Sequence, residues 1–148
     1  MSKVLSRLLY IDLGEKKYEV VEQPELFEKF LGGSGLAIEL LLKECPKGTD
    51  PFAPENPVIL APGPLGGLFP SAGKTVATFK SPITGNMGES HAGGRLAVSM
   101  RMAGYGALVI KNSSIIPTFL EIDSEGVDFC DASPLKGFSS LEVERRLR

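Results

Sequence analysis

The side chains best suited to bind a ligand fall in residues 89–95, which read Glu-Ser-His-Ala-Gly-Gly-Arg. We expect the Gly93-Gly94 pair to open a helix, where free N–H groups and the positive dipole end attract anions. His91 can donate or accept a hydrogen bond, and Glu89 can fix its tautomer. Arg95 in a first helical turn is unfavourable unless an anion lies close by. The run predicts a ligand-binding loop, with a helix cap and an exposed histidine as the alternative.

A second Gly-rich segment, Gly-Pro-Leu-Gly-Gly at residues 63–67, follows a short apolar run that reads as a buried strand. Its backbone N–H groups are able to converge on an anion, although a tight turn is the simpler interpretation. Residues 71–75, Ser-Ala-Gly-Lys-Thr, contain the end of a P-loop, but Leu68 stands where that motif needs a glycine. A strand is also predicted to follow, and the P-loop is therefore excluded. Lys74 is either an anion contact or a solvated surface lysine.

No set of side chains in this sequence predicts catalysis or metal binding. Ser90 and His91 are sequence neighbours, and neighbours do not by themselves make a catalytic triad. Cys45 and Cys130 are too far apart for a CxxC metal motif, and the chain has one histidine. A [4Fe-4S] cluster needs several thiolates, so this chain does not ligate one by itself. The residues favour holding a ligand over transforming it.

The overall composition excludes several classes of function. The net charge is −2 with no block of like charges, so neither nucleic acid nor an anionic membrane surface is an expected partner. No apolar run reaches the length of a membrane span, and the N-terminus lacks a signal-peptide pattern. We expect a cytoplasmic protein of one domain.

Hydrophobic periodicity and turn residues predict an α+β fold of layered, mostly antiparallel sheets with helices. A β-hairpin is expected over residues 8–21, followed by a helix from Pro24 and a second helix capped by Ser34. A second hairpin is expected over 117–130, and Ser139 with Glu142 forms a capping-box pattern for a last helix. Further strands are predicted at 58–61, 75–79 and 107–110.

The two predicted hairpins resemble each other in sequence, because each has an Ile-Asp pair before its turn and is followed by a proline with a leucine one or two residues later. Intertwined β-β-α repeats would explain the likeness, and coincidence is the other explanation. The chain reaches Arg148 without a helix-stop signal, which predicts that residues 1–148 are a truncated part of a longer enzyme.

Five segments taken together resemble the N-terminal domain of the tungsten-containing aldehyde:ferredoxin oxidoreductases. That family oxidises small aldehydes to carboxylic acids and reduces ferredoxin, with a bis-pterin cofactor of tungsten or molybdenum and one [4Fe-4S] cluster. The resemblance implies that cluster ligands, proton-handling residues and the remaining C-terminal domains lie outside this chain, and it allows a homodimer. The segments are residues 31–44, 50–67, 80–85, 89–96 and 102–110.

The resemblance also implies which residues contact the pterin. Lys74 precedes the strand before the Lys-Ser-Pro-Ile-Thr-Gly segment, and the loop at 91–94 enters the Gly-Gly helix. Some relatives have Arg in place of Lys74 and Asn in place of His91. Lysine lacks the planar bidentate fork of arginine, so its contact would be weaker or differently aimed. The implied cofactor-binding residues are Lys74, His91, Ala92, Gly93 and Gly94.

Two other functions remain open from the sequence. One is a stand-alone scaffold or interaction subunit that pairs with a separate catalytic chain. The other is a phosphate-binding α/β enzyme, which would need a parallel βαβ sheet that the hairpin pattern opposes.

Overall fold

The computed structural model describes residues 6–147. Arg148, at which truncation was expected, lies outside them. The described residues form four α-helices and eight strands. The helices are α1 (Pro24–Phe30), α2 (Gly33–Glu44), α3 (Leu96–Met102) and α4 (Ser140–Arg146). The strands are β1 (Arg7–Asp12), β2 (Lys17–Glu22), β3 (Val58–Pro62), β4 (Thr75–Lys80), β5 (Met87–Ala92), β6 (Ala107–Lys111), β7 (Thr118–Ile122) and β8 (Val127–Asp131).

Six of these strands form one sheet in the order β2-β1-β6-β3-β4-β5, and β7 pairs with β8 in a separate two-stranded sheet. The pairing of β1 with β6 is parallel, and every other pairing between the described strands is antiparallel. Both predicted hairpins are present. The predicted α+β class with mostly antiparallel sheets is confirmed, and the parallel sheet of a phosphate-binding βαβ enzyme is absent from the described part.

Two hydrophobic cores, one on each face of the six-stranded sheet, make the fold layered. Helices α1 and α2 cover the first face, where Leu8 and Val76 are buried with Phe27 and Leu36 of the helices. Helix α3 and the β7–β8 hairpin cover the second face, with Leu9 in its core. Adjacent Leu8 and Leu9 thus point into different cores, as the two-residue period of a strand requires. Burying both faces explains the continuous apolar runs of the central strands.

The predicted helix start at Gly93-Gly94 is wrong. Residues 87–92 form strand β5, and α3 begins only at Leu96, with Arg95 as its N-cap residue. Strand β5 lies at the sheet edge and is largely exposed, so it lacks the apolar alternation that marks a half-buried strand. Gly94 has a φ of +88°, which is not helical and suits the turn between strand and helix.

The predicted cap of α2 by Ser34 is also wrong. Gly32 is the N-cap residue, and Ser34 lies inside the helix with its hydroxyl donating to Glu89 of β5. Leu31, the C-cap residue of α1, is in the left-handed conformation, and Gly32 follows with a φ of +118°. A β-carbon on Gly32 would lie 3.0 Å from the carbonyl oxygen of Pro62. The reversal between the helices therefore depends on a glycine at position 32.

The suspected β-β-α repeat has a structural counterpart in the two hairpin turns. The carboxylate of Asp12 accepts hydrogen bonds from the N–H groups of Gly14 and Glu15. That of Asp123 accepts them in the same way from Glu125 and Gly126. Each hairpin is followed by a helical segment that starts beside a proline. The predicted cap of α4 is confirmed, because the Ser139 hydroxyl accepts from the Glu142 N–H.

Candidate functional site

The end of the β4–β5 ladder brings two of the predicted site residues together. Thr75 pairs with Ala92 as the last pair of the ladder, so Lys74 and Gly93 are the next residues outward on the two strands. The carbonyl of Lys74 also accepts a hydrogen bond from Gly63 N–H, at 3.0 Å. The second Gly-rich segment is thereby fixed beside the first. The two segments that the sequence singled out form one surface.

A cleft of about 450 Å³ opens at this point, between the loop that follows β3 and the start of α3. Lys74 is the one charged residue among those that line it. Its ammonium group has no hydrogen bond or ion pair with any residue between 6 and 147. The cleft therefore offers an uncompensated positive charge to an anionic group. Its lining residues are Gly67, Phe69, Pro70, Ser71, Gly73, Lys74, Gly93, Gly94 and Val98.

The glycines of this cleft have two different surroundings. A β-carbon on Gly73 would lie 3.2 Å from the carbonyl oxygen of Gly94, so the absence of a side chain lets the two loops touch. Gly93 and Gly94 have no described atom within 4 Å of the position a β-carbon would take. Their backbone is open on that side, which suits the close approach of a ligand.

His91 and Ala92 come directly before this pair but do not line the cleft. His91 lies opposite Val76 in the ladder, and Val76 belongs to the core beneath α2. Opposite residues of an antiparallel pair share a face, so His91 lies on the α2 side of the sheet. Its Nε2 atom lies 2.7 Å from Glu89 Oε1, and its side chain is 50% exposed. The structure thus gathers Lys74, Gly93 and Gly94 in the cleft, whereas His91 and Ala92 lie outside its lining.

Sequence reasoning missed part of the site. Phe69 and Val98 line the cleft and belong to no motif that the sequence singled out, and Ser71 was considered only as part of the rejected P-loop pattern. The Thr75 hydroxyl, beside Lys74, is buried without a hydrogen-bond partner in the described part of the chain. A buried polar atom without a partner is uncommon and costs free energy. In the sequence Thr75 looks like an ordinary strand residue, and its buried hydroxyl without a partner is seen only in the folded structure.

Metal binding by side chains alone has no support between residues 6 and 147. No group of three or more histidine, cysteine, aspartate or glutamate side chains there is arranged to hold a metal ion. Both cysteines are free, Cys45 at the end of α2 and Cys130 in β8. Neither thiol lines the cleft at Gly93. No helix in this part of the chain has the length and apolar character needed to cross a bilayer.

Comparison with known proteins identifies the domain. The sequence profile of the aldehyde ferredoxin oxidoreductase N-terminal domain matches residues 8–148. The chain belongs to this family. It is 37% identical over 139 residues to the tungsten-containing aldehyde ferredoxin oxidoreductase of Pyrococcus furiosus. It is 38% identical over 144 residues to the protein of the same name from Thermococcus kodakarensis. Those matches cover 93% and 96% of the chain but 23% and 24% of the relatives.

Members of the aldehyde ferredoxin oxidoreductase family differ in the substrates that their names give. The chain is 32% identical over 145 residues to the WOR-like subunit of an aliphatic sulfonate oxidoreductase from Pyrococcus furiosus. The active-site complex BamBC of benzoyl coenzyme A reductase, solved with 1,5-dienoyl-CoA, has the same fold with a TM-score of 0.93. That match is 31% identical and covers 99% of this chain and 23% of the other. The chain therefore matches this N-terminal domain family, and the relatives that it resembles are named for three different substrates.

Proposed function

We propose that this domain forms one wall of the binding site for a tungsten- or molybdenum-containing bis-pterin. The observation that carries the proposal is the cleft at Lys74, Gly93 and Gly94, which combines an open glycine backbone with a single unpaired cation. Two of the relatives are named as tungsten-containing enzymes, which supports a metal cofactor of that kind. We propose that the rest of the site is supplied by polypeptide outside residues 1–148.

The residues of the cleft fit such a group. Pterin cofactors combine a flat ring system with a phosphate, and these need a close backbone approach and a cation respectively. The open side of Gly93 and Gly94 offers the first, and the Lys74 ammonium offers the second. No carboxylate lines the cleft to repel an anion.

In the assembled enzyme the bound metal centre would supply the two-electron chemistry that converts an aldehyde and water into a carboxylic acid. This chain's own residues would bind and orient the cofactor. Lys74 would neutralise negative charge, and the glycines would let the ring approach the backbone. We propose that a [4Fe-4S] cluster, its ligands, the aldehyde pocket and the contact with ferredoxin lie in the remaining domains or subunits. Some relatives are named for other substrates. We therefore propose an aldehyde on the basis of family membership alone.

Cofactor content tests this function. The complete protein that contains this domain, produced with tungstate, is expected to carry tungsten and to release a fluorescent pterin on oxidation. Aldehyde-dependent reduction of a redox dye is expected in the same preparation. A complete protein without pterin would contradict the proposed function and favour the scaffold subunit.

A further inference from the structure

One surface loop between β3 and β4 carries large apolar side chains that the domain leaves exposed. Leu65, Leu68 and Phe69 lie within a few residues of each other, and their exposed fractions are 52%, 55% and 61%. No residue at positions 56–73 is charged at neutral pH. Single exposed apolar residues are normal on a protein surface, whereas an uncharged apolar cluster is typical of the core of an interface. We call residues 65–70 the apolar loop.

The inner side of the apolar loop is packed on α3. A β-carbon on Gly66 would lie 3.3 Å from the β-carbon of Ala97, and one on Gly67 would lie 3.1 Å from Arg101 Cδ. The N–H group of Leu68 donates to the carbonyl of Leu65 at 3.0 Å, which closes the turn between the two leucines. The helix thus occupies one side of the loop, and more than half of each leucine remains exposed on the other.

The apolar loop is continuous with the cleft at Lys74 but extends beyond it. Phe69 and Pro70 line the cleft, whereas Leu65 and Leu68 lie outside its lining. A ligand bound in the cleft would therefore leave these two leucines uncovered. A larger occupant is needed to cover them.

The relatives contain polypeptide of sufficient size for this role. The chain matches 23% and 24% of the length of the two tungsten-containing relatives, and 23% of the matched chain of the BamBC complex. The rest of each relative is several times larger than this domain. We have proposed that the cleft is completed by polypeptide outside residues 1–148, and such a wall must approach the domain beside the apolar loop.

We propose that the apolar loop is the docking surface for the polypeptide that supplies the opposite wall of the cleft, and that Leu65 and Leu68 are buried there against apolar side chains. This inference rests on the proposed function for the existence of an opposite wall. Burial of apolar surface is favourable, and a loop without charges avoids the cost of desolvating an ion. The docking surface and the cleft would then be closed by the same contact.

Hydroxyl-radical footprinting of the complete protein that contains this domain measures the exposure of each leucine by its rate of oxidation. Leu42 is the matched control, because it is 74% exposed on α2 and has the charged neighbour Lys43. If nothing covers the apolar loop, Leu65, Leu68 and Leu42 should react in about the ratio of their exposed fractions. We expect Leu65 and Leu68 to react several-fold more slowly than that ratio gives. Rates in that ratio would overturn the docking surface.

A pair of substitutions tests the same contact by its effect on stability. Leu68→Glu places a carboxylate at the contact, where its burial is costly. We expect the complete protein to melt at a lower temperature and Leu65 to be oxidised faster. Leu42→Glu, also at an exposed leucine, should leave the melting temperature and the rate at Leu65 unchanged. An equal effect of the two substitutions on the melting temperature would contradict the proposal.

Pterin content, measured in the same preparations, separates this inference from the proposed function. Protected leucines in a complete protein without pterin would support docking while the proposed function fails. Leucines that react freely in a pterin-containing protein would overturn docking and leave the proposed function standing. Protection that is lost when the protein is diluted to monomers would identify a second copy of the chain as the occupant and would overturn the inference.

Discussion

Gly93 and Gly94 differ in backbone conformation, so a substitution at Gly93 can test ligand binding without a cost in stability. Both have open space where a β-carbon would lie, but only Gly94 has a positive φ, at +88°. Gly93→Ala should therefore fold without strain, while its methyl group occupies the open side of the cleft. We expect an unchanged melting temperature and a loss of pterin from the complete protein of about tenfold or more, measured by pterin fluorescence. Gly14→Ala, in the first hairpin turn, is the control, and equal loss in both variants would argue against the cleft.

The positive charge of Lys74 is the second feature of the cleft that a substitution can test. Lys74→Met keeps the apolar length of the side chain and removes its charge, which should weaken binding of the anionic cofactor about tenfold. Lys74→Arg should bind as well as lysine or better, because its fork can make two parallel hydrogen bonds. Lys136→Met, at an exposed lysine away from the cleft, should leave cofactor content unchanged. Full retention of cofactor in Lys74→Met would remove Lys74 from the site.

At the scale of elements, the connection between α1 and α2 packs against the end of β3, after which the Gly-rich segment at 63–67 begins. At Gly32 the φ of +118° is combined with a β-carbon position 3.0 Å from a carbonyl oxygen, so both strain and contact oppose a side chain. Gly32→Ala should lower the free energy of unfolding by at least about 2 kcal/mol. Gly48→Ala, with a φ of +88° and open space around it, should cost about 1 kcal/mol. Chemical denaturation measures both, and equal costs would show that the contact with Pro62 can relax.

The stability that the two hairpin turns contribute to the fold should depend on pH in the same way. Hydrogen bonds from Glu15 N–H to Asp12 and from Glu125 N–H to Asp123, each the largest cause, hold the pKa of both carboxyls below its ordinary value. A lowered folded-state pKa stabilises the fold above the unfolded value of about 3.9. That contribution is lost as the pH falls through the folded-state pKa. The melting temperature should drop on acidification below about pH 4, and less steeply in Asp12→Asn with Asp123→Asn. A parallel fall in the double variant would contradict the turn assignment.

For the whole molecule, the sequence was enough for the class of fold and for both hairpins, because these depend on local signals such as apolar alternation and turn residues. It failed at β5, an exposed edge strand whose Met-Gly-Glu-Ser-His-Ala sequence has no such alternation. The same misreading placed a helix N-terminus at Gly93 that the fold does not have there. Lys74 is held beside Gly93 by the β4–β5 ladder instead, and this pairing was missed because β5 was not recognised as a strand.

Lys74 and the glycine pair were identified in the sequence, and the fold brings them to one cleft, whereas the contacts of Ser34 needed the structure. Ser34 lies 55 positions before Glu89, and nothing in either segment points to the other. The role of Lys74, Gly93 and Gly94 in cofactor binding stays a prediction.

The most direct measurement is an experimental structure of the complete, cofactor-loaded protein that contains this domain. The account predicts a pterin against the Gly93-Gly94 backbone, with an anionic oxygen within hydrogen-bond distance of about 3 Å from Lys74 Nζ. A pterin bound elsewhere, with the cleft filled by side chains from another domain, would contradict the central claim.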